Sequence, residues 1–258
     1  MLLTVVALGA SALSACGDPE PDNGGQIDLT DYINPDGQAL RALTIDSKAM
    51  KQTMKYNVWL PPKFDPNTAY PILYLLHGAG DDQNAWLDKG NAQTIAAKYV
   101  KTGGKPMIIV MPDAQMTFYL GGYEQYLHEE LMPAVEAKYK FSGKRAVAGL
   151  SMGGFGTLYH ALKYPKKFTY AYAMSPAADV GSFKAMIDAQ SDKKVFPGFT
   201  IEVGTEDTTV NNADSEQVAN YMKEKGMTCE WIARTGIHYW NFWQECLPKA
   251  LKKAGSSF

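Results

Sequence analysis

Ser151 is the residue of this chain whose surroundings best suit nucleophilic chemistry. It stands at the centre of GLSMG at 149–153, which follows the apolar run AVAGL and precedes a helical pattern from Gly153 to Leu162. A serine in this context projects from a cramped strand-to-helix turn, where glycines two residues away let the backbone pack. We therefore predict that Ser151 is a nucleophile. The alternative is a glycine-rich helix start with a capping serine.

His238 is the histidine best placed to activate that serine. A serine hydroxyl is a poor nucleophile at neutral pH and needs a base within hydrogen-bond reach. When the order is serine, acid and then histidine, the base follows the acid along the chain. His238 comes after a predicted strand at 228–233, whereas His77 precedes the serine and His128 and His160 fall within helical patterns. We predict that His238 is the base and that the two helical histidines are surface or packing residues.

The acid is expected in the loop Thr205-Glu206-Asp207, which begins where the strand pattern FTIEV at 199–203 ends. Open α/β sheets place their sites at the C-terminal ends of the strands. We choose Asp207, and Glu206 in the same loop is a rival that only geometry can exclude. The acid would accept the imidazole N–H, select the tautomer and stabilise the imidazolium that forms during attack.

Two backbone N–H groups are needed to stabilise the oxyanion of a tetrahedral intermediate. Met152, directly after the nucleophile, would supply the first. The second is expected from HGAG at 77–80, where small residues let the backbone approach the substrate, and we choose Ala79 with Gly78 as a neighbouring substrate contact. His77 is interpreted as a structural residue that holds this turn.

Aromatic residues near these loops could form a platform for a sugar or phenolic ring. Trp86 follows the oxyanion turn and Trp240 follows the base, so these two are predicted substrate contacts. Core packing is the alternative, and it is favoured for Tyr119, Tyr123 and Trp243.

The elements that must position these residues alternate between strands and helices. Residues 39–46 and 53–60 alternate polar and apolar side chains, which predicts an antiparallel hairpin. Continuous apolar runs follow at 72–76, 107–111 and 146–150, separated by helical patterns, which is typical of parallel strands buried on both faces. The sequence predicts an α/β fold with a doubly wound, mostly parallel sheet, the hairpin at its start, and helices on both faces.

Composition narrows the partners. The chain has 258 residues and a formal net charge of −2, without the lysine and arginine runs that nucleic-acid binding requires. Its three cysteines lack metal-site spacing, so we predict no metal and no cofactor. Cys229 and Cys246 are compatible either with a disulfide or with two free thiols.

The first residues predict export from the cytoplasm. Residues 1–16, MLLTVVALGASALSAC, form a short apolar stretch that ends with small residues before Cys16, as in a lipoprotein signal peptide. Cys16 would carry the lipid and provide the only contact with a membrane. Residues 17–37 are interpreted as a flexible tether and 38–258 as the folded domain. The expected location is the bacterial cell envelope, or the exterior if the chain is secreted.

Several motifs together resemble an esterase family of the α/β-hydrolase superfamily, which includes esterase D, the feruloyl and acetylxylan esterases and the antigen 85 acyltransferases. They are YNVWLPP at 56–62, YLLHG at 74–78, AGLSMGG at 148–154, GTED at 204–207 and HYW at 238–240. The resemblance implies a triad of Ser151, Asp207 and His238, with oxyanion donors from Met152 and Ala79. The segment between Pro112 and Tyr123 is short, whereas the feruloyl branch often has a longer loop there.

The resemblance implies a serine carboxylesterase that removes feruloyl or acetyl groups from plant cell-wall polysaccharides or oligosaccharides through an acyl-enzyme. The expected partner is therefore an acylated carbohydrate or a phenolic ester. Two alternatives use the same three residues. One is an acyltransferase of the antigen 85 kind, and the other is a small-molecule esterase or thioesterase of the esterase D kind.

Overall fold

The computed structural model describes residues 37–258. The predicted signal peptide, including Cys16, and residues 17–36 of the predicted tether lie outside the described residues. Those assignments stay predictions.

An eight-stranded sheet forms the centre of the described chain, in the order β1-β2-β4-β3-β5-β6-β7-β8. The strands β1 and β2 form an antiparallel hairpin, β2 pairs antiparallel with β4, and the remaining neighbours are parallel. The predicted mostly parallel sheet with an N-terminal hairpin is confirmed. The strands are β1 (Gln38–Ser47), β2 (Gln52–Leu60), β3 (Tyr70–Leu76), β4 (Ile108–Pro112), β5 (Phe141–Leu150), β6 (Tyr170–Met174), β7 (Gly198–Gly204) and β8 (Cys229–Arg234).

Helices cover both faces of the sheet. They are α1 (Ala85–Asp88), α2 (Ala92–Lys101), α3 (Gly122–Gln125), α4 (Met132–Lys138), α5 (Met152–Lys163), α6 (Val180–Ala189), α7 (Asn212–Glu224) and α8 (Trp240–Ser257). Alternate residues of β3 belong to two different buried clusters, because successive side chains of a strand point to opposite faces. One cluster lies under α5, α6 and α7, and the other lies under α2 and α8.

The helical segment between β4 and β5 is interrupted. A π-helical stretch, Tyr126–Leu131, separates α3 from α4. Pro133 is the second residue after it, and a proline has no N–H to donate to an α-helical ladder. The amide of Met132 instead bonds to the carbonyl of Leu127, five residues back. The extra residue in this turn changes the directions of its side chains, His128 among them, from those of a regular α-helix.

Strand register brings the chemically important loops to one edge of the sheet. Leu76 at the end of β3 pairs with Gly149 near the end of β5, and Gly204 at the end of β7 pairs with Arg234 at the end of β8. Because these strands are parallel, the loops that follow them leave the same edge. The regular sheet therefore brings together the residues that follow β3, β5, β7 and β8.

Cys229 and Cys246 are free thiols, which decides between the two alternatives left open by the sequence. Cys246 is buried on α8, and burial raises the pKa of its thiol. Within residues 37–258, every helix is either too short or too polar to cross a bilayer.

Candidate active site

The turn around Ser151 has the strained geometry that the glycines permit. Ser151 adopts φ 53° and ψ −116°, a conformation that side chains other than glycine rarely take. A Cβ on Gly149 would lie 2.4 Å from the carbonyl oxygen of Gly153, and one on Gly153 would lie 2.5 Å from that of Leu76. Both glycines are therefore required for β5 to turn directly into α5. The turn places Ser151 at the start of the helix with its hydroxyl facing the neighbouring loops.

A chain of two hydrogen bonds connects the predicted nucleophile, base and acid. Nε2 of His238 lies 2.9 Å from Oγ of Ser151, and Nδ1 lies 2.6 Å from Oδ2 of Asp207. A carboxylate can only accept at Nδ1, so the proton sits there and Nε2 is free to accept the serine hydroxyl. The structure thus brings together the three residues chosen from the sequence, in an arrangement able to deprotonate Ser151.

The choice between Asp207 and Glu206 is decided by which carboxylate is buried and faces the imidazole of His238. The carboxylate of Asp207 is fully buried, and its second oxygen, Oδ1, accepts the amides of Thr209 and Val210 at 2.9 and 3.3 Å. Glu206 lies on the surface of the same loop, with only its backbone amide bonded, to the carbonyl of Gly236. The backbone hydrogen bonds hold the carboxylate of Asp207 facing the imidazole. Glu206 is the adjacent residue, but its side chain points to solvent, so it is excluded as the acid.

His77 holds the oxyanion turn, as interpreted from the sequence. Its Nδ1 lies 2.7 Å from the carbonyl of Gly78, and its Nε2 accepts the amide of Ala114 at 2.8 Å. An acceptor at Nε2 requires the proton on Nδ1, so the ring is neutral. The hydroxyl of Tyr119 donates to the carbonyl of His77 at 2.9 Å. The buried ring therefore ties the loop after β3 to the loop after β4.

The two predicted oxyanion donors belong to the turn that begins α5 and to the turn after β3. Met152 is the first residue of α5, where the backbone N–H has no partner within the helix. Gly78 approaches the serine so closely that a Cβ on it would lie 3.5 Å from Cβ of Ser151. Ala79 follows on the exposed part of the turn. Their placement suits the roles predicted for all three residues, which stay predictions.

The predicted role of Trp86 as an exposed platform is wrong. Its ring is 1% exposed, and its Nε1 donates to the carbonyl of Leu76 at 2.9 Å. Trp240 is half-buried and meets Trp86 edge to face, with the ring centroids 5.3 Å apart. Trp86 therefore supports Trp240 from below and contacts no solvent-filled space. Tyr119, Tyr123 and Trp243 are buried, as the core alternative expected.

Trp243 also packs against the base, a contact that sequence reasoning missed. The two rings meet edge to face with centroids 4.9 Å apart, and the indole lies within the first turn of α8. This limits rotation of the imidazole about its side-chain bonds. The spacing of five residues between His238 and Trp243 was the only available signal, and it does not distinguish this contact from core packing.

A buried charge cluster fastens the acid-bearing strand to the base-bearing segment. Glu202 of β7 is fully buried, and its Oε1 accepts from Arg234 at 2.5 Å and from Lys249 at 2.6 Å. Arg234 also donates to the carbonyl of Phe242 in the first turn of α8, at 3.1 Å. The two cations hold the pKa of Glu202 below its usual value despite burial. The loops carrying Asp207 and His238 therefore start from strands linked by ion pairs.

In the described part of the chain, no group of three or more histidine, cysteine or carboxylate side chains is arranged so that it could hold a metal ion.

The turn, the hydrogen-bonded triad and the sheet order define a serine hydrolase of the α/β-hydrolase class. The model of the family described as "Putative esterase" matches residues 47–254. The chain belongs to this family, and the matched residues form a carboxylic ester hydrolase domain.

Relatives and solved structures agree with this assignment. An esterase of Mycobacterium tuberculosis is 31% identical over 196 residues, covering 66% of this chain and 42% of that protein. An endo-1,4-beta-xylanase/feruloyl esterase of Xylanibacter ruminicola is 27% identical, covering 81% of this chain and 30% of that protein. The structure of a ferulic acid esterase is 25% identical with a TM-score of 0.78, covering 86% of this chain and 98% of that one. The chain spans less than half the length of these curated relatives.

Proposed function

We propose that this protein is a serine carboxylesterase that removes feruloyl or acetyl groups from plant cell-wall carbohydrates through an acyl-enzyme. The hydrogen-bonded chain Ser151–His238–Asp207 beside the oxyanion turn is the observation that supports it most strongly. It supplies a nucleophile, a base and a buried acid in one place, which is what acyl transfer to a hydroxyl requires.

The reaction has two halves. Oγ of Ser151 attacks the carbonyl carbon of the ester while its proton moves to Nε2 of His238, and the N–H groups of Met152 and Ala79 bind the resulting oxyanion. The bond to the alcohol oxygen then breaks, and His238 returns the proton to that oxygen. Water next gives a proton to His238 and attacks the acyl-serine. The acid leaves as the Ser151 hydroxyl is restored.

Support for a carbohydrate ester comes from outside the triad. One similar structure is a ferulic acid esterase, and one relative combines a xylanase with a feruloyl esterase. An aromatic wall also stands next to the nucleophile: Phe155, in the first turn of α5, meets the exposed ring of Phe118 edge to face, with centroids 6.0 Å apart. Such a wall suits the flat ring of a phenolic acyl group.

Acid release from two esters tests the proposal. The domain spanning residues 26–258 is incubated with methyl ferulate and with acetylated xylo-oligosaccharides, beside a Ser151→Ala control. Release of ferulate or acetate that the control lacks supports the proposal, and the acid identifies the acyl group. Equal release by Ser151→Ala would exclude the triad, while no release from either ester would exclude these substrates.

We further propose that the protein is anchored in the cell envelope through a lipid on Cys16. The apolar run at 1–15 and the small residues before the cysteine are the support. Expression in a bacterial host should place the chain in the membrane fraction, and Cys16→Ala should move it to the soluble envelope fraction. An unchanged distribution would contradict the anchor.

A further inference from the structure

The proposed mechanism determines on which side of Ser151 the alcohol lies. His238 must return its proton to the alcohol oxygen, so that oxygen lies within hydrogen-bond reach of Nε2. The alcohol therefore extends over the segments that adjoin His238, while the acyl group extends toward α5. Phe155 belongs to the buried cluster on the α5 face, and Trp240 packs on the cluster under α2 and α8. The two halves of an ester would thus contact opposite faces of the sheet.

The segment at 81–90 lies on the His238 side and is fastened there. Gln244 of α8 donates to the carbonyl of Lys89 at 2.7 Å, and a Cβ on Gly90 would lie 2.8 Å from the ring of Trp240. Nζ of Lys89 reaches back to Oδ1 of Asp81 at 2.5 Å. Asp81, and to a smaller extent Tyr239, raise the pKa of Lys89. The ammonium group is therefore positively charged. It lies close to Asp81, which follows the oxyanion turn, and to Tyr239, which follows His238.

Asp81 connects this segment to the nucleophile. It directly follows the oxyanion turn at 77–80, and its amide donates to the carbonyl of Gly78 at 3.3 Å. A Cβ on Gly78 would lie 3.9 Å from Oδ2 of Asp81 and 3.5 Å from Cβ of Ser151. The carboxylate therefore lies close to Gly78 on the nucleophile's side of the turn, and its side chain is 12% exposed.

A cavity of about 290 Å³ opens at this position, near the lower end of the volume of small-molecule clefts. Its lining is almost entirely polar: Gly80, Asp81, Asp82, Asn84, Ala85, Asp88 and Lys89. Tyr239, which is 61% exposed, directly follows His238 in the chain, and it lies close enough to Lys89 of this lining to add to the rise in the pKa of that lysine. The cavity therefore combines carboxylate acceptors with an ammonium donor, and the exposed ring of Tyr239 lies near Lys89 outside the lining itself.

We infer that this cavity is the alcohol subsite and that it binds the sugar ring of a carbohydrate ester, an inference that rests on the proposed function. Sugar hydroxyls both donate and accept hydrogen bonds, so they satisfy the Asp81 and Asp82 carboxylates and the Lys89 ammonium together. The face of the sugar packs on Tyr239. An apolar alcohol would remove water from these charges without replacing its hydrogen bonds, which is costly.

Two esters of the same acid test the subsite, because they differ only in the alcohol. We compare kcat/KM for feruloyl-arabinose with kcat/KM for methyl ferulate in the wild type, Lys89→Met and Tyr239→Ala. The ratio of the two values should fall about tenfold in Lys89→Met, the effect of one lost hydrogen bond to a charged group. Tyr239→Ala should lower the same ratio. Lys98→Met removes an exposed lysine of α2 outside the cavity and should leave the ratio unchanged.

The charge-neutral double variant Asp81→Asn with Lys89→Met controls for the carboxylate left unpaired beside the nucleophile. It should lower the ratio as Lys89→Met does. A ratio that stays at the wild-type value in Lys89→Met, in Tyr239→Ala and in the double variant would overturn the subsite, even if the absolute rates changed.

Binding without catalysis separates the subsite from the proposed function. Xylotriose is added to the Ser151→Ala protein and binding is followed by saturation-transfer NMR. Transfer that weakens in Ser151→Ala with Lys89→Met supports the sugar subsite even if the wild type releases no ferulate from either ester, which would count against the proposed function alone. Absence of transfer at millimolar xylotriose would overturn the subsite while leaving the esterase proposal intact.

Discussion

Two histidine sites in the described chain differ in the groups that can exchange a proton with the imidazole. His238 is 12% exposed and stands between a carboxylate and a hydroxyl. His128 and His160 are buried against each other, with Nε2 of His128 3.0 Å from Nδ1 of His160. The first site can take a proton from Ser151 and share its charge with Asp207. The second has no carboxylate bonded to either ring.

The environment of the buried pair keeps it neutral. Burial lowers the pKa of His128 to about 2, and the neighbouring His160 and Lys167 add to the effect. Burial lowers the pKa of His160 to about 4, against the opposite effect of Glu124. Nζ of Lys167 approaches Nδ1 of His128 to 3.3 Å, so that nitrogen accepts and Nε2 carries the proton. The hydrogen-bond partners and the burial of a histidine, rather than its residue type, therefore determine whether it can act as a base or only packs in the core.

Replacing the base should have the largest effect. We expect His238→Ala to lower kcat about 10⁴-fold to 10⁶-fold, because within residues 37–258 the imidazole of His238 is the group hydrogen-bonded to Oγ of Ser151. Steady-state kinetics on methyl ferulate or 4-nitrophenyl acetate measures the loss, and circular dichroism checks that the fold is retained. A kcat within tenfold of the wild type would assign the base elsewhere.

Altering the acid should have a smaller effect on the same site. Asp207→Asn keeps the shape but offers an amide N–H to Nδ1, which favours the wrong imidazole tautomer, and kcat should fall about 10³-fold to 10⁴-fold. Glu206→Gln is the matched control in the same loop and should change kcat less than about twofold, because that carboxylate is exposed. Equal losses in both variants would remove the distinction drawn between them.

The buried pair should affect stability instead of rate. His160→Ala leaves a cavity and removes the partner of Nε2 of His128, so the free energy of unfolding should fall by about 2–4 kcal/mol. Urea denaturation measures it. The folded variant should retain kcat within about threefold. A large loss of kcat in fully folded protein would show that this pair takes part in catalysis, and the distinction between it and His238 would be wrong.

The pair should also make stability depend on pH. Its pKa values in the folded state lie below the value of about 6.5 for an unfolded histidine, so the unfolded chain takes up protons first as the pH falls. Stability from this pair is therefore complete well above pH 6.5 and falls as the pH drops below that value, down to about pH 4 for His160 and about pH 2 for His128. The melting temperature across that range measures the loss, and a double variant, His128→Phe with His160→Leu, should show a smaller slope. An identical slope would assign the effect to carboxylates.

Predictions from the sequence succeeded where the requirement is local. The glycines around Ser151 are needed because a Cβ on either would meet backbone atoms, and that need is visible as GxSxG between a strand and a helix. The strands were predicted because side chains buried on both faces leave continuous apolar runs. His77 was interpreted as a residue that holds its turn, and its contacts with Gly78 and Ala114 agree with that interpretation.

Predictions from the sequence failed where direction in space matters. Trp86 lies beside the oxyanion turn in the sequence, but its ring points into the core below Trp240. The disulfide question about Cys229 and Cys246 stayed open because spacing along the chain does not give the distance between sulfur atoms. Lys89 and Asp81 were not singled out, since the position of the ion pair between them depends on how their loop is bonded to α8.

By itself, the sequence determined the order and type of the elements, the strained turn at Ser151 and the candidates for base and acid, because these depend on local propensity and periodicity. Only the tertiary structure decided between Asp207 and Glu206, paired His128 with His160, and turned Trp86 inward. These outcomes depend on strand register, the π-helical turn and packing between residues far apart in the chain. Such contacts leave no local pattern, since each side chain's direction is set by its neighbours in space.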